Sequence, residues 1–213
     1  MMILAIDSAN FHLSIALLQG KEILAYAENK TSVGDAVLLP MIEALFQKAS
    51  LPLRAMTHVA VTLGPGSFTG TRIGIAAARG LALALEIPIL AVNSFEWVAH
   101  CYKKLCPHHL DSSLVIALES KREESFVALF SKELKLLREE TYLRPDQLHE
   151  YIGAYAPVVV GDAASYIDSS MTSWMPNAQD LAFHVQEKLA YKRSFETCVP
   201  FYLRPPEINR AKK

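Results

Sequence analysis

Cysteine is scarce in this chain. Three residues, Cys101, Cys106 and Cys198, are spread over 213 positions, too few for the disulfide framework of a small secreted domain. An excess of either charge is also missing. The 21 lysines and arginines are matched by 22 aspartates and glutamates, a formal net charge of -1. That balance argues against a dedicated basic nucleic-acid binder, though it leaves room for a local patch that touches RNA. Long apolar runs free of charge are lacking too. The most membrane-like stretch, Ile73 to Val92, contains Arg79, Glu86 and Pro88, so it reads as a packed helix followed by a strand. The run at the start of the chain has no basic segment before it and stops at Asp7, so no signal peptide is expected. The expectation is a cytoplasmic protein with no membrane contact. What the chain does have is apolar material. Its 51% hydrophobic and 20% charged residues supply a real core and exclude disorder over most of its length.

Along the chain, Met2–Ile6 is an apolar run ended by the turn-forming residues Asp7, Ser8, Ala9 and Asn10. Leu13–Leu18 and Glu22–Ala27 read as two more strands joined at Gly20-Lys21. A helix is expected from Asp35 to about Ala49, capped by Asp35 or begun near Pro40, with Leu38, Met41, Ile42, Leu45 and Phe46 on a broad apolar face. His58–Leu63 is the next strand, and Thr71–Leu85 the next helix. Ile87–Val92 is a strand, and Ser94 is expected to cap a helix ending near Leu105. The pattern then restarts. Ser113–Leu118, Phe126–Phe130 and Leu134–Leu137 read as strands, Pro145–Tyr151 as helical, Pro157–Val160 as a strand and Leu181–Leu189 as a helix. Asp7 and Glu119, 112 residues apart, each end a first strand, and at that offset Ile15-Ala16-Leu17 falls on Val127-Ala128-Leu129. The expected architecture is α/β, with an N-terminal subdomain over 1–105 and a shorter one over 106–213.

The most distinctive segment runs from Gly64-Pro65-Gly66-Ser67-Phe68-Thr69-Gly70 into Thr71-Arg72-Ile73-Gly74-Ile75-Ala76-Ala77-Ala78-Arg79-Gly80. Gly64 and Gly66 allow unusual backbone angles around Pro65, and Ser67 or Thr69 can cap the helix that follows. The small residues of that helix suit close approach, either to the chain's own sheet or to a partner helix. Other readings of the loop fail on spacing. No lysine follows for a phosphate-binding Walker loop, and Gly70 comes one residue late for a dinucleotide fingerprint. Pro65 and Thr69 occupy the positions around Ser67 where a nucleophile elbow needs glycine.

This segment resembles the signature of the TsaB (YeaZ) family. The resemblance extends to Ile3-Leu4-Ala5-Ile6-Asp7-Ser8, Leu39-Pro40 and Tyr202-Leu203-Arg204. It is dense in the first half and thin in the second. The tandem plan with Asp7 and Glu119 resembles the actin-like ATPase (sugar kinase/heat-shock ATPase) superfamily, which implies two tandem ribonuclease H-like subdomains, the second reduced. The resemblance implies a non-catalytic subunit for threonylcarbamoylation of adenosine 37 in tRNAs reading codons that begin with adenine. Its partner would be the catalytic paralogue TsaD, joined by the ATPase TsaE, with TsaC supplying threonylcarbamoyl-adenylate. Contact with tRNA would be indirect, and a homodimer of the isolated chain is plausible. The resemblance places the TsaD contact on the helix after the glycine-rich loop and the helix before it, and Leu38, Ile42, Phe46, Ile73, Ala76 and Leu83 are the residues expected there. Asp7 and Glu119 are candidates for a vestigial nucleotide site. No cofactor is expected in the isolated chain, and ATP only at a composite site in the complex. The alternative is a free-standing ATPase or phosphotransferase using Asp7 and Glu119.

Two departures from the family pattern stand out. After the first strand of the second half, a glycine of the family run is replaced by Glu123, while Glu124 keeps its place. A histidine usual before the first helix is Gly34 here. No catalytic metal pair is expected either. Among His12, His58, His100, His108, His109, His149 and His184, no two are spaced by four. The cluster His100, Cys101, Cys106, His108 and His109 matches no standard zinc spacing and reads as a helix terminus. The basic tail from Pro205 to Lys213 reads as a solubilising segment that can approach phosphates.

Overall fold

The architecture rests on two central strands whose side chains are buried on both faces. In the computed structural model, which describes residues 1–10, 12–30, 35–109, 111–120, 122–171 and 173–204, these are β1 (Met2–Asp7) and β6 (Leu114–Glu119). Gly34, the tail from Pro205 and the side chain of Asp35 lie outside the described residues. β1 pairs antiparallel with β2 (Leu13–Gln19), which pairs with β3 (Glu22–Asn29). On its other side β1 runs parallel to β4 (His58–Thr62), and β4 to β5 (Ile89–Val92). The first sheet is therefore ordered β3-β2-β1-β4-β5. The second repeats the plan with one strand fewer: β7 (Ser125–Phe130) and β8 (Leu136–Leu143) follow β6 antiparallel, and β9 (Val158–Val160) lies parallel on the far side, giving β8-β7-β6-β9. Shifting Met2–Asp7 by 112 residues gives the bounds of β6.

Strand alternation divides each sheet between two cores. Ile3 and Ala5 of β1 enter a core shared with Leu114, Ile116 and Leu118 of β6. Between the two sheets lie α3 (Ser94–Leu105), with Phe95, Trp97 and Val98 buried, and α6 (Ala178–Ala190), with Leu181 and Val185 buried. Met2, Leu4 and Ile6 face the other way, under α1 (Asp35–Lys48) and α2 (Phe68–Leu85). Val115 and Ala117 of β6 meet the short helices α4 (Leu148–Ile152) and α5 (Ala164–Ile167). The layers run from α1 and α2 through the first sheet, α3 with α6 and the second sheet to α4 and α5. Although α6 comes late in the chain, it packs on β1 and β2, so the first sheet is completed by the C-terminal segment.

Local details correct several expectations. Helix α1 already begins at Asp35 and carries Pro40 inside it. The cap of α3 is Asn93, whose side chain accepts from the Phe95 amide at 2.8 Å, and Ser94 is the first helical residue. The third strand of the second half starts at Leu136 because Leu134 sits in a turn with φ +59° and donates its amide to Ser131 O. Between Pro145 and Ile152 a 3-10 turn precedes α4.

Candidate partner surface and cleft

Helix α2 starts where Ser67 Oγ accepts from the Gly70 amide at 3.1 Å, which fixes Ser67 as the cap and satisfies one of the free N–H groups of the first turn. Gly66 is required just before it. A Cβ there would overlap the carbonyl oxygen of Ala9, to which the Ser67 amide donates at 2.6 Å. From this anchored start the small residues of α2 divide between two faces. Gly74, Ile75, Ala78 and Ala82 are buried on the sheet. A Cβ on Gly74 would overlap Ser8 Oγ and touch Val61 at 3.4 Å, so this glycine serves internal packing. A Cβ on Gly80, in contrast, would meet nothing within 4 Å, and this glycine lies on the outward face with Ala76, Leu83 and Ala84. Leu83 is 83% exposed, and α2 carries no acidic residue between Phe68 and Leu85. The result is an outward ridge of small and apolar side chains without an acidic residue, with the exposed Arg79 among them.

Three residues expected on this surface belong elsewhere. Leu38, Ile42 and Phe46 are 1%, 2% and 2% exposed and pack with Leu4, Ile6 and Val59 in the core below α1. Their spacing along α1 puts them on its inner stripe, where the sheet removes them from solvent. The outer side of α1 instead shows Leu39, 58% exposed. Ile73 is half-buried, and Ala76 and Leu83 are exposed as expected. Leu39 is not among the contact residues expected from sequence because the consecutive apolar positions beside it blur the helical stripe.

The second candidate site is the cleft where the ends of β1 and β6 approach. Asp7 is 2% exposed. It accepts from Thr62 Oγ1 at 2.9 Å and Asn10 Nδ2 at 2.6 Å. Burial pushes its carboxyl up to about 7; these hydrogen bonds and one from the Ala9 amide pull the other way and are outweighed. Asp7 thus knots the end of β1 to the adjacent turn. Glu119 is exposed, and its amide donates to Asp162 Oδ1 at 2.8 Å. Asp162 was not anticipated; it follows Gly161, where a Cβ would overlap the Ala117 carbonyl oxygen, so the glycine brings the carboxyl beside β6. Burial raises the Asp162 carboxyl to about 6. Asn10, His12, Glu119, Asp162 and Trp174 line a cavity of about 190 Å³.

The histidine and cysteine cluster is dispersed. Cys101 is buried in the central core, where burial pushes its thiol upward. The His100 ring lies 5.1 Å from that of His184, and His109 meets Tyr102 instead. Among the described residues no three histidine, cysteine or acidic side chains are placed to hold a metal ion, and no helix is long and apolar enough to cross a membrane.

The tandem sheets, the strand order and the carboxylates ending both first strands define an actin-like, ribonuclease H-like fold with a reduced second copy. Residues 35–194 match the family model described as TsaD, tRNA N6-adenosine threonylcarbamoyltransferase. The protein of Buchnera aphidicola (from Schizaphis graminum) named tRNA threonylcarbamoyladenosine biosynthesis protein TsaB is 34% identical over 119 residues, 56% of this chain and 55% of that one. The protein of the same name from Bacillus subtilis is 32% identical over 151 residues, 69% of this chain and 61% of that one. YeaZ from Pseudomonas aeruginosa superposes with a TM-score of 0.75 at 25% identity, covering 95% of this chain and 100% of that one. The chain belongs to the family that the model describes and, within it, to the TsaB (YeaZ) family. The matches cover 55% and 61% of the length of these two curated relatives.

Proposed function

We propose that this protein is a non-catalytic partner subunit in tRNA threonylcarbamoyladenosine biosynthesis. It binds and activates the catalytic paralogue TsaD through the outer faces of α1 and α2. The observation that carries this reading is the outward ridge of α2, where Ala76, Gly80, Leu83 and Ala84 lie exposed and no acidic residue intervenes. Small side chains let a facing helix come close, and Leu83 with Leu39 supplies apolar area worth roughly 25 cal/mol per Å² when covered. The names of the relatives supply the pathway. Activation follows if the bound state of the partner is its competent one, since binding free energy then shifts its population.

The absence of catalysis by this chain alone is supported by the cleft. Asp7 is sealed by Thr62 and Asn10. The cavity of about 190 Å³ falls below the roughly 300 Å³ at which ligand pockets usually begin. The carboxyls of Glu119 and Asp162 at its wall oppose a triphosphate. On this reading ATP binds only at a composite site in the complex, and tRNA contact is indirect. Self-association of the isolated chain would use the same ridge and compete with TsaD. The whole assembly acts in the cytoplasm.

The test is size exclusion with light scattering on this protein mixed with the paralogue from the same organism. A hetero-complex that Leu83→Glu abolishes supports the proposal. Two separate peaks, with and without ATP, would remove it, and saturable ATP turnover lost in Asp7→Ala would favour the ATPase alternative.

A further inference from the structure

Two motifs without an assigned role meet in the structure. Glu124 closes the turn between β6 and β7, and Arg204 ends the Tyr202-Leu203-Arg204 segment. Arg204 Nη2 lies 2.9 Å from Glu124 Oε2, and its guanidinium sits 4.3 Å from the centre of the Tyr142 ring. Both charged side chains are largely covered, at 19% and 26% exposure. The segment leading to Arg204 is an irregular strap across the first half. The Glu196 amide donates to Ala91 O at 3.2 Å at the free edge of β5, and the Phe201 amide to Leu63 O at 2.8 Å beyond β4. Helix α2 holds the strap at two further points. Arg79 Nη2 donates to Cys198 O at 2.5 Å, and Arg72 Nε to Tyr202 Oη at 2.8 Å. The Arg72 guanidinium also lies 3.7 Å from the centre of the Phe68 ring, which is 5.1 Å from that of Tyr202.

We infer that residues 196–204 form a mechanical link between α2 and the β6–β7 turn, so that events on the first reach the wall of the cleft through the second. The strap meets two different neighbours near its C-terminal end. Tyr202 joins a stack with Phe68 and Arg72 at the start of α2, beside the outward ridge. Arg204, two residues further on, grips the turn that follows Glu119, one of the residues lining the cleft. That turn contains no glycine. It is closed by the Ser120 hydroxyl donating to Glu124 O and braced by Tyr166 Oη donating to Glu123 O at 2.8 Å. Contacts from Ser120, Tyr166 and Arg204 hold the described residues of this turn, so losing the Arg204 grip frees Glu124. Side-chain contacts on irregular chain open at lower free energy than the packed core. A contact that disturbs Arg72 loosens the strap and releases the turn. This holds whatever molecule binds α2.

Hydrogen exchange on the full chain, followed by mass spectrometry, tests the link. Arg204→Gln should speed exchange in the segment 120–126 about tenfold, a local effect that any contact loss produces. The decisive variant is Arg72→Gln, on the α2 side of the strap. The link requires it to speed exchange in 120–126 severalfold too, with the Arg72→Gln, Arg204→Gln double variant no faster than Arg204→Gln alone. The exchange of β1 amides reports whether the fold is intact. If Arg72→Gln disturbs it, Arg72→Lys, which keeps the charge and loses the planar stack, takes its place. Unchanged exchange in 120–126 with an intact fold, or fully multiplicative effects in the double variant, would overturn the inference.

Discussion

The two halves share a strand plan and differ in what covers it. In the first, the helices flanking β4 have 14 and 18 residues; in the second, those flanking β9 have five and four. A helix of four or five turns can bury one stripe on its sheet and still present a continuous outer face. A helix of one turn covers the sheet and offers little else. The first half also has β5, which widens the sheet so that α2 lies fully supported while its outer side stays open. The second half keeps its carboxylates, and a cavity of about 190 Å³ lies between them and Asn10 and His12 of the first half. On the proposed reading the duplicated fold divides its tasks, with recognition on the long helices of one copy and a reduced cleft beside the other.

The largest expected effect that tests this contrast is a buried charge under each set of helices. Leu38→Glu places a carboxylate in the core beneath α1 and should cost about 4 kcal/mol or more, seen as loss of the urea unfolding transition. Leu148→Glu, half-buried on α4, should cost about 1–2 kcal/mol. Equal losses would show that the second half is as tightly built as the first.

The cleft carboxyls give the next largest effect. Asp7 is raised to about 7 in the folded chain from an ordinary 3.8, so the folded state holds its proton more tightly than the unfolded one. Its contribution is fully present below about pH 4 and is lost as pH rises to about 7, on the order of 2–4 kcal/mol. Asp162, raised to about 6, should show a smaller loss ending about one pH unit lower. Urea titrations from about pH 4 to 8 on Asp7→Asn and Asp162→Asn check this; each variant should flatten its own share of the slope.

The smallest effect concerns Gly80, with open space around it. Gly80→Ala should stabilise the isolated chain by about 0.5–1 kcal/mol through helix propensity, measured by thermal unfolding, while weakening partner binding where a facing helix needs the gap. A variant that is more stable and binds unchanged would place the contact away from this part of α2.

Much of the fold was legible in the sequence because it rests on backbone periodicity. Met2–Ile6 and Leu114–Leu118 are continuous apolar runs, as strands buried on both faces must be, and Asp7 and Glu119 mark their ends. The faces of the helices were not legible to the same degree. In α1, Val37, Leu38, Leu39, Pro40, Met41 and Ile42 leave no polar side to read, so the sequence does not tell that the sheet holds Leu38 and Ile42 inward. In α2, glycine and alanine occupy both faces, and only the neighbours of Gly74 and Gly80 tell them apart. Asp162 and the strap escaped because irregular chain has no period: nothing local to Arg204 signals Glu124, 80 positions earlier.

The proposed role places recognition on the outer ridge of α2 and not on the second half. Titration calorimetry of the paralogue against Leu83→Glu and Tyr155→Glu tests it most directly. Both side chains are exposed, at 83% and 43%, so neither change should disturb the fold. Leu83→Glu should raise Kd by roughly 30-fold or more, about 2 kcal/mol, while Tyr155→Glu leaves it within about twofold. A Kd unchanged by Leu83→Glu, or raised equally by both, would contradict the account.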